Sequence, residues 1–158
     1  MKYLIDLNEN EALTAGTVGL RRHIEATLNR RKPRFSEKYA GELLGFHVLG
    51  AMAELAVCKY FGWYWDYSVN TFHVSDIPGK KIDVRFSKNP YLKIRPDDNE
   101  INIVSVTGGF PRFEIVGWLF SEDGKRPQWK RDFNNRGVPA YFVPHDELMQ
   151  PGNLLYNV

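Results

Sequence analysis

The hydrophobic period of this chain changes once, and that change limits the folds open to it. From Glu9 to Phe61 the apolar residues recur at the three-and-four spacing of helices, and from Ile82 onward they alternate at the spacing of two that strands require. The first helix is expected from Glu9 to about Arg30, with Leu13, Gly16, Thr17, Leu20, Ile24 and Leu28 on one broad face, ended by Pro33. A second is expected to start at Ser36-Glu37-Lys38 and to end near Phe61-Gly62, burying Leu44, Val48, Ala51, Leu55 and Cys58.

Ile82, Val84 and Phe86 alternate with Lys81, Asp83, Arg85 and Ser87, which predicts a strand with one buried and one polar face. Further strands are predicted at Tyr91 to Arg95, Ile101 to Val106, Arg112 to Phe120 and Ala140 to Val143. Turns at Pro96-Asp97-Asp98-Asn99 and Gly108-Gly109-Phe110-Pro111 separate them, and Ser121 to Val138 reads as irregular or short-helical. The fold class is therefore α+β: two N-terminal helices packed on a mixed, mostly antiparallel central sheet.

With 158 residues and 43% hydrophobic content the chain has enough material for one core, so a single domain over residues 1–158 is expected. No unbroken apolar run approaches the roughly 20 residues of a membrane span, and Asp6 interrupts the apolar start that a signal peptide would continue. A cytoplasmic protein with no membrane partner is expected. The lone Cys58 falls within an apolar helical pattern and reads as a small core residue. Neither a glycine-rich phosphate loop nor a cysteine and histidine cluster is evident.

The net charge of +2 says little, but its distribution says more. Arg21, Arg22, Arg30, Arg31, Lys32 and Arg34 gather on the first helix and the loop after it, and Lys80 and Lys88 flank the first long strand. Such residues either face solvent or neutralise a phosphate backbone. Trp63, Tyr64 and Trp65 read either as a core-edge cluster or as a base-stacking surface, while Trp118, inside a strand, reads as core.

The acidic residues carry the sharper pattern. Asp76 precedes a Pro78-Gly79 turn, and Asp83, one spacer and Arg85 follow on the strand beyond it, with Lys81 on the same strand face. Glu54 lies on the second helix, with Gly50 and His47 on the same side. Each has a plainer reading: Glu54 as a solvated helix acid, Asp76 as a turn cap, Asp83 and Arg85 as a surface ion pair, His47 as a core-edge histidine that otherwise orients Glu54 or a water. Convergent carboxylates are nevertheless what a hard divalent ion requires to polarise a phosphoryl oxygen and activate a water.

Asp76 followed by Asp83-Val84-Arg85 resembles the bipartite motif of the PD-(D/E)XK nuclease superfamily, and Gly50-Ala51-Met52-Ala53-Glu54-Leu55-Ala56 is similar to the helix that supplies a further acid in many members. Val116-Gly117-Trp118, Trp129 and the segment Pro139 to Pro144 are similar to small phage-encoded proteins with this core. The resemblance implies a restriction-endonuclease-like core and a Mg²⁺ (or Mn²⁺) dependent DNA phosphodiesterase. Glu54, Asp76 and Asp83 would be the metal ligands, and Arg85 and Lys81 would stabilise charge. Arg85 departs from the family's usual lysine. An arginine stays protonated and cannot help activate water, which leaves open a catalytically silent module that binds DNA or a host protein. A virion or assembly component whose basic patch lies near packaged DNA is a third reading.

Overall fold

The computed structural model describes residues 2–29, 42–69, 75–133 and 137–156. The chain begins with a strand the sequence did not announce, β1 (Tyr3–Asp6), before helix α1 (Glu9–Leu28). A capping box starts α1: the Asn8 side chain accepts the Glu11 N–H at 2.9 Å, and the Glu11 carboxylate accepts the Asn8 N–H at 2.8 Å. Helix α2 (Leu43–Phe61) ends at Gly62, as its glycine predicts. The expected start at Ser36 lies outside the described residues.

Five predicted strands form as β2 (Ile82–Phe86), β3 (Tyr91–Ile94), β4 (Asn102–Gly109), β5 (Arg112–Phe120) and β7 (Ala140–Pro144). Between β5 and β7 the chain makes the short helix α3 (Ser121–Gly124), a 3-10 turn at Pro127–Trp129 and the short strand β6 (Lys130–Arg131). The α+β class holds, and the strands divide into two sheets. The first has the order β1-β5-β4-β2, antiparallel except for the parallel pair β2 and β4; the second is antiparallel, in the order β3-β7-β6.

Strand alternation assigns the two faces of the first sheet. Ile82, Val84, Val104, Val106, Phe113 and Ile115 share a core with α1 and α2. Ile103 and Leu119 point the other way and pack with Leu92, Ile94 and Val143 of the second sheet. The first sheet is thus covered by helices on one side and by strands on the other, with β2 at its edge.

The buried face of α1 is not the one its large side chains predict. Ala12, Ala15, Val18 and Gly19 are inside, while Leu13, Leu20, Ile24 and Leu28 are exposed. The reason is a close helix crossing. A Cβ on Gly19 would sit 2.5 Å from the Val48 Cα and 2.6 Å from the His47 carbonyl oxygen, so only small residues fit along the contact. Gly50, on the same side of α2 as Glu54, has open space where a Cβ would stand. Leu44 is exposed, but Ala51 and Cys58 are buried as expected, and Val48 and Leu55 pack at the core's margin. By length and composition α2 could cross a bilayer. It nevertheless carries an ion-paired Glu54 and packs between α1 and the sheet.

Candidate functional site

The site is built around the free edge of β2. Ile77, Pro78, Gly79 and Lys80 form a tight turn closed by the Lys80 N–H on the Ile77 carbonyl at 3.2 Å, with Gly79 at φ 73°. The turn folds Asp76 back along the strand that follows. Its N–H donates to the Ile82 carbonyl at 3.0 Å, and its carboxylate accepts the Val84 N–H at 2.7 Å. Asp76 therefore occupies an edge position beside β2, as the Pro-Gly signal suggests.

From that rim Asp76 senses acids on both sides of the sheet. Its pKa is raised well above the ordinary carboxylate value, first by removal from water, then by the charges of Glu54 and Asp83 and a hydrogen bond with Asp83; the Val84 amide opposes the shift. The two aspartate carboxyls are thus in hydrogen-bonding reach of each other.

Glu54 is 4% exposed. Arg22 of α1 grips it by both oxygens, Nη1 to Oε1 at 2.5 Å and Nη2 to Oε2 at 2.8 Å, and the Trp65 indole N–H donates to Oε2 at 3.0 Å. Arg22 is fixed in turn by the Ser68 carbonyl, at 3.0 Å from Nε and 2.7 Å from Nη2. His47 takes no part in orienting Glu54: its ring meets His23 of α1, with centroids 5.6 Å apart. Burial first, then His23 and Arg22, lower the His47 pKa.

Asp83 and Arg85 alternate with Ile82 and Val84 and so face the second sheet. Arg85 is wholly engaged. Its Nε and Nη2 donate to Asp83 Oδ2 at 2.8 and 2.5 Å, its Nη1 to the Lys93 carbonyl at 2.6 Å, and both Nη atoms to the Asp98 carboxylate at 2.8 and 2.7 Å. Those contacts use all five N–H donors of a guanidinium. Its pKa is raised, burial opposing the effect of Asp98 and Asp83. Burial pushes the Asp98 carboxyl up, but the Arg85 guanidinium, helped by the amide and charge of Arg95, holds it below the usual carboxylate range.

Lys81 is exposed and has no partner among the described residues, and Lys80 lies 4.5 Å over the Trp63 ring. Lys88 is exposed. Arg30, Arg31, Lys32 and Arg34 lie outside the described residues. Trp118 and Trp65 are core, at 2% and 3% exposure, while Tyr64 is exposed.

Sequence reasoning missed Arg22, Trp65 and Asp98. By sequence Arg22 belongs with the basic cluster, although its place between Val18 and Ala26 on the buried side of α1 distinguishes it from Arg21; Asp98 sits in a turn whose composition needs no further explanation. Taken together, four acids (Glu54, Asp76, Asp83 and Asp98) meet two arginines (Arg22 and Arg85), with the charge of Asp66 acting on Arg22 and that of Arg95 on Asp98. Among the described residues no group of three or more His, Cys, Asp or Glu side chains has the arrangement of a metal site. Magnesium commonly takes only one or two protein carboxylates, completing its shell with water and phosphate, and the Asp76 and Asp83 pair fits that donor set. No protein-family profile and no curated protein matches the chain.

Proposed function

We propose that the chain is a metal-dependent phosphodiesterase acting on DNA, a small PD-(D/E)XK-like nuclease of phage type working in the cytoplasm of a bacterial host. One observation carries the reading: Asp76 and Asp83 bring two carboxyls together at a sheet edge, where Asp76 resists ionising alone. A partly buried carboxyl pair is satisfied by a shared proton or by a cation, and a divalent cation answers both carboxylates at once. Asp76 and Asp83 would hold Mg²⁺ or Mn²⁺, which when bound supplies polarisation of the phosphoryl oxygen and a water of lowered pKa. Glu54, held on Arg22, contributes its negative field from behind. Arg85 fixes the Asp83 carboxylate, and Lys81, exposed and unpaired among the described residues, is placed to meet a phosphate.

A second reading is favoured by a specific observation. Every Arg85 donor is engaged and Glu54 is locked in its own ion pair, so the chain could bind DNA or a host protein without cleaving. Incubating the protein with supercoiled plasmid and single-stranded DNA in Mg²⁺ or Mn²⁺, beside Asp76→Asn and Asp83→Asn, separates the two. Nicking that both substitutions abolish supports the phosphodiesterase. Retained DNA binding without metal-dependent cleavage supports the silent module, and absence of both ion and DNA binding ends the phosphodiesterase reading and leaves the silent module only a protein partner.

A further inference from the structure

A groove of about 710 Å³ opens where β2 and β4 begin and β5 ends, starting from the turn that joins Asp76 to Asp83. Lys80 and Lys81 line it on the β2 side, Glu100 and Asp123 beside β4 and β5, with Phe120 and Trp118 between. The strand order puts β2 and β5 on either side of β4, so the charged walls are about two strand spacings, roughly 10 Å, apart. None of these four charged side chains forms an ion pair among the described residues, although the two signs share one groove. Glu100 is held at φ 49°, a left-handed conformation costly for a residue with a side chain, and its N–H is anchored on Glu122 Oε1 at 3.3 Å. Phe120 is partly exposed, whereas Trp118 is buried beneath the groove with its indole N–H spent on the Gln150 carbonyl at 3.1 Å, so the floor offers the Phe120 ring and no aromatic donor.

A ligand complementary to this groove carries negative charge at one end, hydrogen-bond donors at the other and a flat ring between. We infer that the groove is a subsite for one nucleotide of single-stranded DNA. Its phosphate meets Lys80 and Lys81, its ring lies on Phe120, and an exocyclic amino group donates to Glu100 or Asp123. This rests on the proposal that the chain acts on DNA and adds a preference that proposal does not contain: amino-bearing bases over those with a carbonyl in the same place.

The test compares labelled oligo(dC) and oligo(dU), whose rings differ in the exocyclic group at C4 (amino against carbonyl) and in the proton on the adjacent N3, by fluorescence anisotropy in EDTA so that cleavage plays no part. The wild-type protein is expected to bind oligo(dC) about tenfold more tightly. Lys80→Ala with Lys81→Ala weakens both and lowers the salt slope by roughly 0.7 per lysine. Glu100→Gln with Asp123→Asn removes the preference without weakening oligo(dU). Equal affinities in the wild type, or a preference that survives the acid substitutions, overturns the inference. If cleavage is observed without base preference, the inference alone fails; if the preference is observed without cleavage, the subsite stands and the phosphodiesterase reading fails.

Discussion

Arg22 reaches from α1 to hold Glu54 of α2 by both carboxylate oxygens, with side-chain exposures of only 13% and 6%. Each charge had to leave water to reach this position, and although the charges of Asp76 and Asp66 also favour the ionised Arg22, Glu54 is the carboxylate that hydrogen-bonds it. The Trp65 indole and the Ser68 carbonyl complete the set, which ties both helices to the segment after α2. The pair therefore fixes how α1 sits on α2, and through α2 where the acids at the edge of β2 lie.

Removing one member strands the other. Arg22→Ala is expected to cost about 3–5 kcal/mol in urea denaturation, whereas Arg22→Met with Glu54→Leu should lie much closer to wild type because neither charge is then buried. A loss under about 1 kcal/mol in the single variant would show that water reaches Glu54 easily.

Two glycines on α1 make opposite forecasts. Gly19→Ala gains helix propensity but drives a Cβ into the Val48 backbone, which is not a flexible neighbour, so a net loss of about 1–3 kcal/mol is expected. At Gly16 the added methyl would meet only the Met52 Cε at 3.5 Å, an ordinary contact, and Gly16→Ala should be neutral or stabilising by up to about 1 kcal/mol. Thermal melts of the two variants check the pair, and similar outcomes would refute the close crossing.

The same crossing explains where the sequence was legible. Strand alternation at Ile82, Val84 and Phe86, and the end of α2 at Gly62, are local signals, and each element formed where its period or cap placed it. The Asp76 turn was equally local. The face of α1 was misread because hydrophobicity ranks Leu13 and Leu20 above Ala15 and Gly19, while a tight backbone approach selects small residues. Nothing local in the sequence reveals such an approach. The partners of Glu54 and Arg85 were illegible for the same reason: 32 residues separate Arg22 from Glu54 and 13 separate Arg85 from Asp98, and no periodicity links them.

His47 titrates against its surroundings. Facing it are His23 and Arg22 from α1, and burial adds to their effect, so its pKa in the folded protein lies below the ordinary 6.5. The unfolded chain then binds the extra proton first. The stability that neutral His47 contributes is complete above about pH 6.5 and is lost as pH falls from there toward the folded value. Urea midpoints between pH 7.5 and 5 should decline more steeply in the wild type than in His47→Gln, and parallel curves would argue against the assignment.

Arg85→Lys replaces a planar fork with a point charge that cannot serve Asp83, Asp98 and the Lys93 carbonyl together. A loss of about 1–3 kcal/mol is expected. Any metal-dependent cleavage should be retained once the fold is secured. Cleavage that falls tenfold at an unchanged melting temperature would give Arg85 a role beyond holding Asp83.

Asp76 supplies the strongest test of an ion at the edge of β2. Its folded pKa is raised, so in metal-free protein its contribution to stability is present below the ordinary carboxylate value near 3.8 and is lost as pH rises through the folded value. Asparagine at this position keeps an oxygen for the Val84 N–H and carries no charge to repel Asp83 or Glu54. In EDTA, Asp76→Asn should therefore melt higher than wild type, with a gap that widens from pH 4 to pH 7. Adding Mg²⁺ or Mn²⁺ should raise the wild type by about 1.4 kcal/mol for each tenfold excess over the dissociation constant and leave the variant unmoved, reversing their order at neutral pH. A wild type insensitive to both ions, alongside a variant that still melts higher, would mean that Asp76 and Asp83 satisfy each other with a proton and hold no metal.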